Sequence, residues 1–282
     1  MKATNIPYSF NESDDRIREV LDGTDQSFEE LDQIPDSERL TFANGFYVNC
    51  VALFIDIRGS SKLPEIHTRP VLGKIYRAYI SECVALMNQD ANCREIFIEG
   101  DCVSGIFNAP YKSNIDTAFF RAAQLNTLIK LFNYRFEQKG YTPIECGIGL
   151  AYGRALMLKA GYKGSAINDI VWMGDVVNTA ANLCHQGNKN GQKPIQVSSG
   201  IFINLKPENQ RMLSPVYTTL GSLVGSPDQY EANLIDPAME KWIADQKMKA
   251  QALASLFGTQ PNSGNNLLGL GLSTLRRGLF DL

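Results

Sequence analysis

One stretch of this chain restricts its fold more than any other. Asn49–Ile57, NCVALFIDI, is a nearly unbroken apolar run that leads straight into Arg58-Gly59-Ser60-Ser61. Its apolar residues do not alternate with polar ones, so neither face of a strand built from it can lie against water. It suits the centre of a sheet covered on both sides. An aspartate set into such a run, Asp56, costs burial energy unless something pairs with it.

The segments around this run predict the rest of the sheet. A helix is expected from about Arg69 to Met87, with Val71, Ile75, Tyr79, Val84 and Leu86 on its apolar face. Glu95–Ile98 and Cys102–Phe107, joined by Glu99-Gly100-Asp101, read as a β-hairpin. Ala118, Ala122, Leu125, Ile129, Phe132 and Phe136 recur at helical spacing, and Gly140 ends that helix. Ile144–Leu150 reads as a strand, with Arg154–Lys159 pairing back on it across a turn at Tyr152-Gly153. A third helix is expected from about Asp175 to His185, stopped by Gly187, followed by a short strand at Ile195–Val197 and a brief helix at Ile201–Leu205. The order βαββαβ predicts an α+β, ferredoxin-like sheet with its helices packed against it.

The 282 residues carry a formal charge of −3, which argues against a general nucleic-acid coat. No apolar stretch reaches the ~18 residues of a membrane span. The 6 cysteines form no CxxC pair and read as free thiols in a cytoplasmic protein. With 2 histidines, His67 and His185, a histidine-based zinc site or a catalytic triad has little material. Residues 1–48 hold eleven acids against four bases, a net of −7, with a weak helical pattern at Ile17, Val20 and Leu21. Residues 146–207 hold six bases (Arg154, Lys159, Lys163, Lys189, Lys193, Lys206) against Asp169 and Asp175, a net of +4, which marks a local anion site. Lys189 and Lys193 fall in a polar Gly/Asn loop that reads as solvated or as able to approach phosphates across a dimer. Trp172 reads as core or interface. Residues 237–282 divide into a helix over 238–257 and a Gly-, Asn-, Ser- and Leu-rich tail, expected to be flexible or ordered only against a partner.

In a βαββ sheet the hairpin lies beside the first strand, so Asp56 at the strand end and Asp101 at the hairpin tip converge. Two carboxylates and the Ile57 carbonyl suit hard divalent cations, Mn²⁺ or Mg²⁺, that also hold phosphate oxygens. Gly59, Ser60 and Ser61 offer backbone N–H groups and hydroxyls for those oxygens at a strand-to-helix transition. Phe54 and Arg58 share the face of Asp56. Phe54 suits a sugar or base, or the core, and Arg58 suits a phosphate.

FIDIRGSS at 54–61, FIEGDCVSGIF at 97–107 and WMGDVVNTAANL at 172–183 resemble the three signature blocks of the class III nucleotidyl cyclases, in order, over residues 46–205. The resemblance implies an acidic extension at 1–45, a cyclase domain at 46–236 and a homodimer with its active sites at the interface. One chain would hold two metal ions with Asp56, Ile57 and Asp101, and the other would orient the ribose with Asn178. The 3′-hydroxyl of a nucleoside triphosphate would then attack the α-phosphate and release pyrophosphate.

Departures from the family are as informative. The transition-state arginine, four residues after that Asn, is Asn182 here, and the triphosphate lysine has no counterpart around Gly221–Ala232. Either the chain is a degenerate scaffold, or Arg154, Lys159, Lys163 or Arg58 takes over. The two purine-reading positions hold Phe97 and Val171, the second within two residues of Asp169. Without polar readers a purine edge goes unrecognised, and Phe97 narrows the pocket. That combination resembles the bacterial pyrimidine cyclases of Pycsar anti-phage systems, whose cyclic UMP or cyclic CMP activates a separate effector protein. UTP is expected over CTP on family frequency alone, and an adenylate cyclase is the other enzymatic reading. A diguanylate cyclase turn is not matched at 99–103, and an RNA-binding face lacks interleaved aromatics.

Overall fold

The computed structural model describes residues 2–24, 27–217 and 227–256. Helix α1, Phe10–Leu21, precedes strand β1, Phe28–Leu31, which pairs in parallel with β2, Gly45–Ile57. After a left-handed Gly59 (φ +65°), a 3-10 turn at Ser60–Lys62 and the short helix α2, Leu63–Ile66, lead into α3, Arg69–Asn88. The hairpin β3, Cys93–Glu99, and β4, Cys102–Asn108, is followed by α4, Lys112–Glu137. Then come β5, Cys146–Gly161, β6, Asn168–Met173, and α5, Asp175–Gln186. Three short strands complete the sheet: β7, Ile195–Ser198, β8, Ser214–Val216, and β9, Gln229–Ala232. A last helix covers Pro237–Leu256.

The sheet runs β3-β4-β2-β5-β7-β9-β8, with β1 beside β2 and β6 beside β5. Its first four strands have the antiparallel ferredoxin-like order expected from βαββαβ. As its composition demands, β2 is buried on both faces. Val51, Leu53, Ile55 and Ile57 join α3 and α4 in one core (Ile75, Tyr79, Ala122, Leu125). Phe46, Val48, Cys50 and Ala52 join a second core with Ile34, Leu40, Trp172, Val176 and Ala180. Residues 28–40 therefore take part in the sheet and its packing, through β1 and through Ile34 and Leu40.

Two expectations are corrected. Tyr152-Gly153 is not a turn: β5 passes through it and pairs with β2 from Gly45↔Leu158 to Ile57↔Cys146. Nor does packing require this glycine, since a Cβ there would make only an ordinary 3.5 Å contact with Val176 on α5. The true reversal follows Gly161 and contains Gly164 (φ +85°), and β5 pairs across it with β6, a strand the apolar pattern did not announce. The central strand also begins at Gly45, four residues before Asn49. The expected tail at 258–282 and residues 221–226 of the 221–232 segment lie outside the described residues.

Candidate active site

Gly100 carries φ +66° and Asp101 does not share that conformation, so the hairpin closes as a two-residue turn of the II′ kind with its glycine in first place. That turn delivers Asp101 to the end of β2. Burial pushes the Asp56 carboxyl above its usual range, and the Asp101 carboxylate, close enough to share a hydrogen bond, adds to the rise; the Arg58 and Lys189 cations oppose it. Asp101 Oδ2 is buried without a hydrogen-bond partner. A partnerless carboxylate oxygen facing a second carboxylate is the donor set of a divalent cation. No group of three or more His, Cys, Asp or Glu side chains suited to a metal exists among the described residues. Further ligands would come from the Ile57 carbonyl and the substrate's own oxygens.

Arg58 is brought to Asp56, but not as a free phosphate clamp. Its side chain is only 9% exposed and its Nη2 lies 3.1 Å from Asp56 Oδ2. Nη2 also donates to the Asp56 carbonyl, and Nη1 donates to the His185 carbonyl at 3.1 Å. The guanidinium thus ties the C-terminal, electronegative end of α5 to the acid. Room for it comes from β5: a Cβ on Gly147 would lie 2.8 Å from Arg58 Nη2, and one on Gly149 would lie 2.1 Å from the Ala180 carbonyl oxygen. Helix α5 can rest directly on β5 only because both positions are glycine.

That seating leaves Asn178 and Asn182 exposed on the outer face of α5, where neither touches the acids of its own protomer. Phe54 and Phe97 are half-buried, and both pair across the sheet with Ser104, forming a row beside Asp56. Val171 is half-buried on β6, opposite Leu158. Gly59 stands in open space, Ser60 is half-buried and Ser61 exposed, so the turn beside Asp56 is accessible. Arg154 is not brought to the acids. It pairs with Glu30 and lies over the Tyr47 ring at 4.2 Å, across from Asn49 at the far end of β2. Lys163 pairs with Glu19, and Lys159 lies over Phe42 at 5.3 Å.

Two site neighbours, Tyr76 and Glu95, escape sequence reading, while Lys189 is singled out there as one cation of the basic stretch. The Tyr76 hydroxyl donates to the Ser60 carbonyl at 3.3 Å, a contact from α3 with no local signal. Glu95 accepts from Trp172 Nε1 at 2.9 Å, binding the Phe97 strand to the Val171 strand. Period two along β3 places Glu95 on the face of Phe97 and could have found it. The cysteines are free, and burial pushes the Cys102 thiol up to about 12, which leaves it inert.

Two curated relatives are named uridylate cyclase. That of Treponema porcinum is 36% identical over 241 residues, spanning 84% of this chain and 82% of its own. That of Gulbenkiania mobilis is 42% identical over 191 residues, spanning 65% of this chain and 74% of its own. Among solved structures, an adenylyl cyclase from P. aeruginosa superposes with a TM-score of 0.55 at 19% identity, over 67% of this chain and 95% of that one. A guanylyl cyclase superposes at 0.53 and 18%, over 68% and 95%. At such identities the structures speak for the fold. No family model matches the chain.

Proposed function

Because the chain belongs to the class III nucleotidyl cyclases, the family of those two uridylate cyclases, we propose that it converts UTP to 3′,5′-cyclic UMP and pyrophosphate. The observation that carries the metal-dependent chemistry is the Asp56–Asp101 pair with its partnerless Oδ2. Asp56, Asp101 and the Ile57 carbonyl would hold two divalent ions. When bound, these ions would supply positive charge to the attacking 3′-oxygen and to the departing pyrophosphate.

The remaining roles fall to the protein. Gly59, Ser60 and Ser61 cradle phosphate oxygens. Arg58 keeps Asp56 oriented by holding it to the end of α5. In a homodimer, the exposed Asn178 of one protomer orients the ribose bound at the acids of the other. The 3′-oxygen forms a bond to the α-phosphorus, the bond from that phosphorus to the bridging oxygen of pyrophosphate breaks, and the hydroxyl proton passes to solvent. Phe97 and Val171 present no polar group to a purine edge and leave room for a smaller ring. The product would act as a second messenger on a separate effector protein in anti-phage defence, as the Pycsar resemblance implies.

The test incubates the purified protein with UTP, CTP, ATP and GTP separately, with Mn²⁺ or Mg²⁺, beside Asp56→Ala, and identifies products by mass spectrometry. Cyclic UMP that the variant does not make is the expected result. Cyclic AMP would keep the enzyme and overturn the base assignment. No product from any nucleotide would favour the degenerate scaffold.

A further inference from the structure

The basic stretch at 146–207 has no acidic partner in sequence, yet most of its cations are spoken for in the fold. Arg154 pairs with Glu30, Lys163 with Glu19, and Lys193 lies 3.8 Å from Glu231 and donates to Ser214 Oγ at 2.7 Å. Lys159 lies over Phe42. These contacts remove Arg154, Lys159 and Lys163 from the role left vacant at Asn182, and the buried Arg58 is committed to Asp56 and His185.

Lys189 differs from all of them. Like Lys159 and Lys206 it makes no ion pair among the described residues, but its ammonium alone lies against the end of α5, 3.1 Å from Nδ1 and 3.0 Å from Nε2 of His185. The carbonyl of that same His185 accepts from Arg58, whose other nitrogen is 3.1 Å from Asp56. Three contacts in series therefore link the lysine to Asp56 within one chain.

The loop that carries Lys189 is held in place. Asn188 and Asn190 adopt left-handed conformations (φ +54° and +52°), as does Gly191 (φ +80°). Asn188 Nδ2 donates to the Cys146 carbonyl at 2.8 Å, and the Lys189 carbonyl accepts from Gln192 N at 2.9 Å. Asn is among the side chains that tolerate the left-handed region, so the sequence NKNG suits this bend. A cation on a pinned loop, without an ion pair and linked through His185 and Arg58 to the acid pair, fits a polyanionic triphosphate that the acids alone would reject.

We infer that Lys189 contacts the β- and γ-phosphates of the nucleotide bound at Asp56 and Asp101 of its own protomer, and stabilises the charge that develops on the departing pyrophosphate. This rests on the cyclase reading and adds a residue to it. The role differs in geometry from a guanidinium on α5, because α5 presents Asn178 and Asn182 to a second copy while Lys189 serves the acids of its own chain.

The test compares Lys189→Gln, Lys189→Arg and Lys193→Gln in two measurements: steady-state turnover of UTP, and calorimetric binding of pyrophosphate with Mn²⁺. Lys189→Gln should lower kcat about a hundredfold with a smaller change in KM, and should weaken pyrophosphate binding about tenfold. Lys189→Arg should recover most of both, and Lys193→Gln should match the wild type. Equal pyrophosphate affinity and kcat in Lys189→Gln and wild type would overturn the assignment and leave the uridylate reading standing. If the wild type turns over no UTP but binds pyrophosphate more tightly than Lys189→Gln, the phosphate contact holds and the uridylate reading fails. Wild-type protein that binds no pyrophosphate would overturn both.

Discussion

The two faces of β2 are covered unequally, and the inequality runs along the strand. On the face toward α3 and α4, Tyr47 is half-buried and Asn49 exposed, whereas Val51, Leu53, Ile55 and Ile57 are buried. On the opposite face Phe46, Val48, Cys50 and Ala52 are buried, whereas Phe54 and Asp56 remain partly accessible. The two cores are thus staggered and overlap only in the middle of the strand. Where the second core stops, a carboxylate sits at the end of the most apolar strand in the molecule without being sealed from water. Continuous burial makes a stable centre, and the stagger leaves an accessible acid pair at its edge, where the proposed reaction would take place.

The sharpest way to break this comparison is Asp101→Asn. On the catalytic edge it should lower kcat/KM for UTP by 10³-fold or more, about 4 kcal/mol in the barrier. Thermal stability should hold or rise slightly, because a partnerless charge beside Asp56 is removed. A large fall in melting temperature would place Asp101 in the structural half. Leu53→Ala is the converse: it should cost about 2–5 kcal/mol of stability, measured by urea unfolding. Its kcat at low temperature should stay within about threefold of wild type.

Two smaller changes sharpen the edge itself. Phe97→Ala widens the row beside Asp56 and should raise the ATP-to-UTP ratio of kcat/KM about tenfold, on the scale of a pocket filled by a few carbons. A ratio that does not move would mean the base lies elsewhere. Glu95 gives the smallest effect. Burial raises its carboxyl above 4.5, Asp169 adds to the rise, and the Trp172 hydrogen bond opposes it. The folded state therefore holds this proton longer than the unfolded state, and Glu95 costs stability as pH climbs from 4.5 through the raised value. Glu95→Gln should gain about 1–2 °C over wild type between pH 4 and pH 7, by thermal unfolding. A pH-independent difference would show that the carboxylate is already fully compensated.

Much of this was legible because it is local. The two-sided strand, the hairpin turn at Gly100, the helical spacing from Ala118 to Phe136 and the proximity of Asp56 to Asp101 follow from residue order and backbone geometry. What misled was local signal overridden by packing. Tyr152-Gly153 looks like a turn, yet β5 runs straight through it, and the glycines that admit α5 are Gly147 and Gly149. The cations were harder still. A charge count found the basic stretch, but whether each lysine or arginine meets an acid, an aromatic ring or nothing depends on residues up to 144 positions away, as between Lys163 and Glu19.

The chain by itself determined the order of elements, the acid pair and the family blocks, since periodicity, turn chemistry and residue identity are written along it. Only the tertiary structure decided which charges are free. Arg58 became an internal tether because the glycines of β5 let α5 descend onto it. Arg154 was drawn to Glu30 because β1 joins the sheet beside β2. Lys189 was left without a carboxylate at the end of α5 because a bend of left-handed residues holds it there. Charge acts through space and chain order runs along the backbone, so the fold alone could separate them.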